Sequence, residues 1–369
     1  MSVSRIRNIL IVVGTRPNFV KVTQFKRVVA NYPELDVRIV HTGQHYSAAM
    51  ADVFFEQFGM EPDFFLEVPP GSPGTQMAEI MLRLERLIAE KYVPDLMIVV
   101  GDVNSTFAAA LTANKLGIRL AHLESGLRSL DRTMPEEINR ILTDEISDYY
   151  FVTEQSGLDN LVQEKKRGMA YFVGNTMIDT MVAYEEQIQA SRIMEELDVV
   201  DGQFVLMTMH RPATVDVREE LEKLVVLIEQ IATMYKIVFP IHPRTVTRLR
   251  EFGLEERLRD CSGLRLTEPR DYFAFQKLIA GAACILPDSG GVQEESTFRQ
   301  VPCLTLRSST ERPSTVLLGT NELVTFDVTT LLDKIHCIHD GRWKRGEIPP
   351  LWDGNSTERI MSIISGITF

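Results

Sequence analysis

Short apolar and β-branched runs alternate with longer stretches of helical periodicity along this chain. In the first half the runs are Ile9–Val13, Val37–Thr42, Leu96–Val100, Arg119–His122, Tyr149–Val152 and Tyr171–Val173. In the second half they are Phe204–Met209, Ile237–Ile241, Leu264–Leu266, Cys284–Leu286 and Cys303–Leu306. Strand-length runs separated by helix-length segments predict parallel sheets joined by crossover helices. Between Phe204 and Ile237 the apolar positions Leu221, Leu224, Val225, Ile228, Ile231 and Ala232 follow the i, i+3, i+4, i+7 spacing, which predicts an amphipathic crossover helix. The fold class is therefore α/β.

Charged residues concentrate between Glu185 and Gln203, after the first series of strands and before the second, so a boundary is expected near Val173–Ser191. A length of 369 residues exceeds the size at which one core stops growing. We expect a first domain over residues 1–174 and a second over 175–354. The tail at 355–369 carries the short helical pattern Ile360, Ile363, Ile364, which can pack on either domain. Pro69-Pro70-Gly71-Ser72-Pro73-Gly74 is rich in breakers and reads as a mobile loop able to cover a cleft.

Composition narrows the partners. A formal net charge of −12 argues against nucleic acid or an anionic membrane, so any phosphate must be held by local groups. The ligand is expected to be small. The start of the chain shows no apolar signal region, no membrane span is visible, and a cytoplasmic location is expected. Cys261, Cys284, Cys303 and Cys337 are widely spaced and read as reduced core residues. His336 and His339 lie three apart on what reads as a helix face, and no metal site is expected.

In open parallel sheets the ligand lies beyond the carboxyl ends of the strands. After Cys284–Leu286 comes Asp288-Ser289-Gly290-Gly291, a seat where backbone N–H groups, a hydroxyl and a helix N-terminus can meet an anion. Glu295, on the following helix, is placed to accept hydrogen bonds from ribose hydroxyls. The bland reading is a glycine turn before a helix. Arg16 and Lys21 flank the first strand–helix turn and His210 ends the first strand of the second half, each within reach of a diphosphate or, equally, of a structural partner. Asp102 and Glu124 follow buried strands, a setting that suits proton transfer. Glu136 has two readings: a proton carrier, or the return arm of a capping box with Thr133. No G-x-G-x-x-G follows a strand and no phosphate-binding G-x-x-x-x-G-K-[ST] occurs, which disfavours dinucleotide and P-loop chemistry.

Several strings occur together and in order: Gly14-Thr15-Arg16-Pro17, Thr42-Gly43-Gln44-His45, Gly101-Asp102, His122-Leu123-Glu124-Ser125-Gly126-Leu127-Arg128, Pro135-Glu136-Glu137-Ile138-Asn139-Arg140, Gly174-Asn175-Thr176-Met177-Ile178-Asp179, His210-Arg211, Asp288 to Glu295, and Thr310-Glu311-Arg312-Pro313. This set, spanning about residues 8–360, resembles the non-hydrolysing UDP-N-acetylglucosamine 2-epimerases. The resemblance implies a glycosyltransferase-B-type pair of Rossmann-like domains facing across a cleft, a final helix crossing back onto the first domain, and a homodimer. It implies elimination of UDP to 2-acetamidoglucal and re-addition on inverted carbon 2, with no cofactor or metal. Asp102, Glu124, Glu136 and His210 are then the catalytic residues. Arg16, Lys21, Arg128, Arg140, His242, Ser289, Gly290, Gly291, Glu295 and Arg312 are the implied substrate contacts.

The chain departs from the family's usual pattern at Asn18, at Pro212-Ala213-Thr214 and at Ser314. Relatives acting on other UDP-2-acetamido sugars, including 2,3-diacetamido uronic acids, carry an amide near position 18. Gln44 and His242 match an activator pocket of bacterial members, whereas Ser47 and Pro212 do not. The alternatives are a 2-epimerase of such a related sugar, a hydrolysing epimerase, a glycosyltransferase and a silent UDP-sugar-binding regulator, the last having no need of all three carboxylates.

Overall fold

The structure, a computed structural model, describes residues 5–43 and 55–367. Gln44, His45 and Ser47 lie outside the described residues. The chain forms two compact units, one made of Met1–Ala183 with Pro350–Phe369, the other of Tyr184–Pro349.

The strands of the first unit are β1 (Arg7–Val13), β2 (Leu35–His41), β3 (Phe64–Phe65), β4 (Leu96–Val100), β5 (Arg119–Leu123), β6 (Tyr149–Val152) and β7 (Met169–Phe172). They form one parallel sheet in the order β3-β2-β1-β4-β5-β6-β7. Order reverses at β1 and β4, where Ile9 pairs with Val37 on one side and Leu96 on the other. Residues Leu96–Val100 are wholly buried, as expected of a central strand covered on both faces. The second unit repeats the plan with β8 (Phe204–Thr208), β9 (Lys236–Pro240), β10 (Leu264–Thr267), β11 (Cys284–Pro287), β12 (Cys303–Thr305) and β13 (Asn321–Leu323). Its order is β10-β9-β8-β11-β12-β13, again parallel. Cys284 and Cys303 are buried as free thiols on the neighbouring strands β11 and β12.

Every strand expected from the sequence is present, and two more appear at sheet edges, β3 and β13. Both are very short, and Asn321-Glu322-Leu323 offers no β-branched run to read. The crossover helix covers Arg218–Ile231 and buries Leu221, Leu224, Val225, Ile228 and Ile231 as the spacing requires, with Ala232 as its C-cap.

Two local expectations are corrected. The Ser72-Pro73-Gly74 part of the expected loop is the start of a helix, Pro73–Glu90. Ser72 caps it by accepting the Thr75 N–H, and Pro73 takes the first-turn position that needs no amide hydrogen. The helix Thr176–Ala183, which a boundary at 174/175 would give to the second domain, belongs to the first unit. Thr180 donates to the Val20 carbonyl at 2.5 Å and its hydroxyl meets that of Thr23 at 2.6 Å.

The same helix anchors the returning tail. Buried Asp179 accepts the N–H groups of Ser356 and Thr357 and the Thr357 hydroxyl, so it caps the helix Ser356–Gly366. At the other end the Arg7 guanidinium donates to the carbonyls of Ile364, Ser365 and Ile367, the favourable charge for a helix C-terminus. Trp352 is buried and its indole N–H reaches the Thr153 carbonyl at 2.9 Å. Gly174 (φ 88°) lets the tail pass: a Cβ there would lie 2.1 Å from the Leu351 carbonyl oxygen. No helix among the described residues is long and apolar enough to cross a membrane.

Candidate active site

In the first unit the candidate residues gather where β1, β4 and β5 end. Gly101 turns the chain out of β4 with φ 66°, and a Cβ on it would meet Asn18 Nδ2 at 3.1 Å, Glu124 Oε2 at 3.4 Å and Lys21 Nζ at 3.6 Å. Three polar side chains therefore converge on one glycine. Asn18 accepts the Thr15 hydroxyl and donates to the Val100 carbonyl. Lys21, expected at a diphosphate, is instead 5% exposed and bound to Glu124 Oε2 at 2.5 Å. Burial explains the change, because a buried ammonium needs an anion beside it.

Glu124 has a left-handed backbone, φ 72°, which costs a residue with a Cβ about 1–2 kcal/mol. Its Oε1 is buried with no hydrogen-bond partner among the described residues. Strain and an uncompensated carboxylate oxygen in one residue single out Glu124 as a candidate functional position. Asp102, after β4, is partly exposed, and Arg140 grips its Oδ2 from Nε (3.1 Å) and Nη2 (2.8 Å). Asn139 donates to the Asp102 carbonyl at 2.9 Å. Arg140, expected at the substrate, thus holds Asp102 and Glu137 instead.

The capping reading of Glu136 is overturned. The helix Pro135–Ile146 begins one position later than a Thr133 cap requires; Met134 is its N-cap, and no side chain bonds there. Thr133 donates its N–H and hydroxyl to Asp131. Glu136 is exposed, and its neighbour Glu137 is the structural carboxylate, taking the N–H groups of Ser129 and Leu130, the Ser129 hydroxyl and Arg140. The i, i+3 spacing of Glu137 and Arg140 was the available signal for that role.

Behind these residues His122 sits fully buried between Asp144 Oδ1 (2.6 Å) and the Gly101 carbonyl (2.8 Å). Burial alone would push the Asp144 carboxyl up; the His122 ring and the Arg128 guanidinium reverse this and hold it below the ordinary range. Arg128, expected at the substrate, is buried between Asp144 (2.7 Å) and both oxygens of Glu164 (2.7 and 2.8 Å). Its partners lie far away in sequence, so only the folded chain reveals them.

In the second unit β8 and β11 end side by side. Arg16 has its place in the first unit, exposed at the start of the helix Arg16–Val20, while His210 follows β8 here. Asp288 is fully buried and holds His210 Nδ1 at 2.8 Å. Ser289 has a buried Oγ with no hydrogen-bond partner among the described residues, and Gly290 caps the helix Gly291–Arg299. Gly290 has an ordinary φ of −77°, so space rather than backbone freedom favours glycine: a Cβ would meet Arg312 Nη1 and Glu311 Oε1, both at 3.0 Å, and these side chains would have to shift. Arg312 is shared between Glu294 (2.6 Å) and Glu311, and buried Arg307, which sequence reading missed, faces Glu311 at 3.1 Å. Burial, with Glu294 beside it, pushes the Glu295 carboxyl up to about 7. His242 caps the helix Pro243–Glu251 by accepting the Arg244 N–H, with its ring centroid 6.0 Å from that of His210. His336 and His339 sit on the helix Val328–His339, one facing the Leu332 carbonyl and the other the Tyr235 hydroxyl.

Two Rossmann-like units, one ending its central strands in carboxylates and the other in a glycine-rich turn, define an α/β protein of the glycosyltransferase-B type. The family model for UDP-N-acetylglucosamine 2-epimerase matches residues 27–365, and the chain belongs to that family. A UDP-N-acetylglucosamine 2-epimerase from Methanocaldococcus jannaschii is 39% identical over 364 residues, covering 96% of this chain and 98% of the relative. The crystal structure of the Methanocaldococcus jannaschii UDP-GlcNAc 2-epimerase in complex with UDP-GlcNAc and UDP matches with a TM-score of 0.85 at 38% identity, over 97% of this chain and 99% of that one. A UDP-2,3-diacetamido-2,3-dideoxy-D-glucuronate 2-epimerase from Pseudomonas aeruginosa is 36% identical over 323 residues, 86% of this chain and 88% of the relative.

Proposed function

We propose that the protein interconverts UDP-N-acetylglucosamine and UDP-N-acetylmannosamine by eliminating UDP and adding it back. In the forward step a carboxylate takes the proton from carbon 2, the C2–H electron pair forms the C1=C2 bond of 2-acetamidoglucal, and the C1–O bond breaks with its pair going to UDP. In the return step UDP oxygen attacks carbon 1 and a second acid delivers a proton to the other face of carbon 2. Inversion at carbon 2 therefore needs more than one proton carrier. Asp102, Glu124 and Glu136 fill this role, and the observation that carries it is Glu124, a buried, strained carboxylate with one unbonded oxygen.

In this reading Ser289, Gly290, Gly291 and His210 hold the diphosphate, with Arg16 a further contact on the family resemblance, Glu295 binds the ribose, and Arg312, buried between Glu294 and Glu311, supports the turn beside Gly290. Preorganised donors at such a seat stabilise charge as it builds on departing UDP. Lys21, Arg128 and Arg140 act one step back, by holding Glu124, Asp144 and Asp102. On the family resemblance alone, the reading extends to a cytoplasmic homodimeric isomerase feeding cell-surface polysaccharide synthesis.

The test is a panel of UDP-2-acetamido sugars followed by proton NMR. A carbon-2 epimer formed from UDP-N-acetylglucosamine is the expected result. Turnover confined to a 2,3-diacetamido uronic acid would move the assignment to the sugar suggested by Asn18, and release of free N-acetylmannosamine would make the protein a hydrolase. No epimer from any member of the panel would overturn the reading.

A further inference from the structure

We propose that Asp288 is a positioning residue for His210: it keeps a proton on Nδ1 of the ring and so makes Nε2 the atom offered to the ligand. The inference rests on the reading that His210 touches the UDP-sugar, and adds a residue to which that reading gives no part beyond the turn.

Asp288 opens the anion seat and is fully buried, yet all its observed partners belong to the end of β8. Its Oδ2 accepts the N–H groups of His210 and Arg211, both at 2.7 Å, and its Oδ1 lies 2.8 Å from His210 Nδ1. Its own N–H donates to the Thr208 carbonyl at 3.1 Å, next to the ladder pair Thr208–Pro287. One carboxylate thus ties the backbone at His210, the ring of His210 and the first residue of the seat into a single piece. Burial would push this carboxyl up, but the His210 ring and the N–H groups of Arg211 and His210 hold it below the ordinary range. Oδ1 makes no hydrogen bond of good geometry among the described residues, so its 2.8 Å approach to Nδ1 is an ion-pair contact; because an ionised carboxylate only accepts, a proton on Nδ1 rather than a lone pair is what that approach favours. The other ring nitrogen is then the working atom, as an acceptor in the neutral ring and a donor in the cation. The His210 side chain is 45% exposed, so the ring is accessible to a ligand. His242, the neighbouring ring, has its own Nδ1 engaged by the Arg244 N–H and does not compete for Asp288.

Asp288→Asn retains an oxygen for the backbone N–H groups but offers an NH₂ to Nδ1, which reverses the tautomer. We expect a turnover loss of about 10²–10³-fold, the range of losing one preorganised donor to the charge that builds on the departing group. The experiment compares the native protein, Asp288→Asn, His210→Gln and the double variant by kcat and KM, with thermal melting as the control for folding. If Asp288 acts through His210, the double variant is no slower than the slower single variant, within about threefold. Losses that multiply would overturn the proposal. Full activity in His210→Gln would instead overturn the underlying reading of His210. Should Asp288→Asn not fold, nitrogen-15 NMR of histidine-labelled native protein decides, with the His210 signals assigned by their absence in His210→Gln. A proton on Nδ1 of His210 is expected, and a neutral ring protonated on Nε2 alone would refute the proposal.

Discussion

Glu136 and Glu124 have the same proposed task but different surroundings, and that difference separates two outcomes. Glu136 is exposed and makes no cap, so Glu136→Gln should leave the melting temperature unchanged while turnover falls by about 10²–10⁴-fold. Glu124→Gln should lose turnover similarly and also destabilise the fold, because Lys21 is left buried without its anion; breaking such a pair costs about 3–5 kcal/mol when a partner is removed outright. Activity assays beside chemical denaturation check both. Gly290→Val should weaken UDP binding at least about tenfold and lower stability by about 1–3 kcal/mol, since its φ suits any residue but the side chain would push into buried Arg312 and Glu311. Calorimetric titration reads this directly. Glu295 gives a pH dependence. Its pKa is raised from 4.5 to about 7 on folding, so the stability it contributes is present in full below pH 4.5 and is lost as pH rises through 7. The loss is about 3 kcal/mol at 1.36 kcal/mol per pH unit. Ligand-free Glu295→Gln should match the native protein at pH 4.5 and exceed its stability at pH 8. At this scale the sequence placed Asp102, Glu124, His210 and the Ser289-Gly290-Gly291 turn at strand ends, and the structure has each begin within two residues of the ends of β4, β5, β8 and β11. The sequence could not show the ion pairs of Lys21 with Glu124, Arg128 with Asp144 and Glu164, or Arg140 with Asp102, carboxylates that only the folded chain brings near.

The central strands were readable because burial on both faces forces continuous apolar runs, whereas the edge strands β3 and β13 are too short to leave such a trace. The helix at Pro73 was misread for a related reason: Pro and Gly look like breakers, but at a first turn Pro is favoured and the Ser72 cap decides. The returning helix Ser356–Gly366 depends on charged groups at both ends, Asp179 and Arg7. Asp179→Ala removes three hydrogen bonds from its first turn and should lower stability by about 2 kcal/mol. Urea denaturation measures this, and an unchanged midpoint would show that Trp352 and the apolar face of the helix suffice.

Two parallel sheets in one chain give the molecule two sets of strand ends: carboxylates follow the first, and a glycine-rich turn with an Asp–His pair follows the second. With a net charge of −12, any phosphate must be held by local donors, the part proposed for Ser289 and Gly290. The two-unit plan and the family were legible in the ordered motifs, while the unit boundary was placed by packing at Thr180 and Asp179 that no single motif reveals. The central claim is proton transfer at carbon 2 through elimination. The most direct measurement is the reaction of UDP-N-acetylglucosamine in heavy water, followed by NMR at that carbon. The account predicts a UDP-linked carbon-2 epimer carrying deuterium there, with none in a control lacking enzyme; an epimer that keeps its original carbon-2 proton throughout would contradict it.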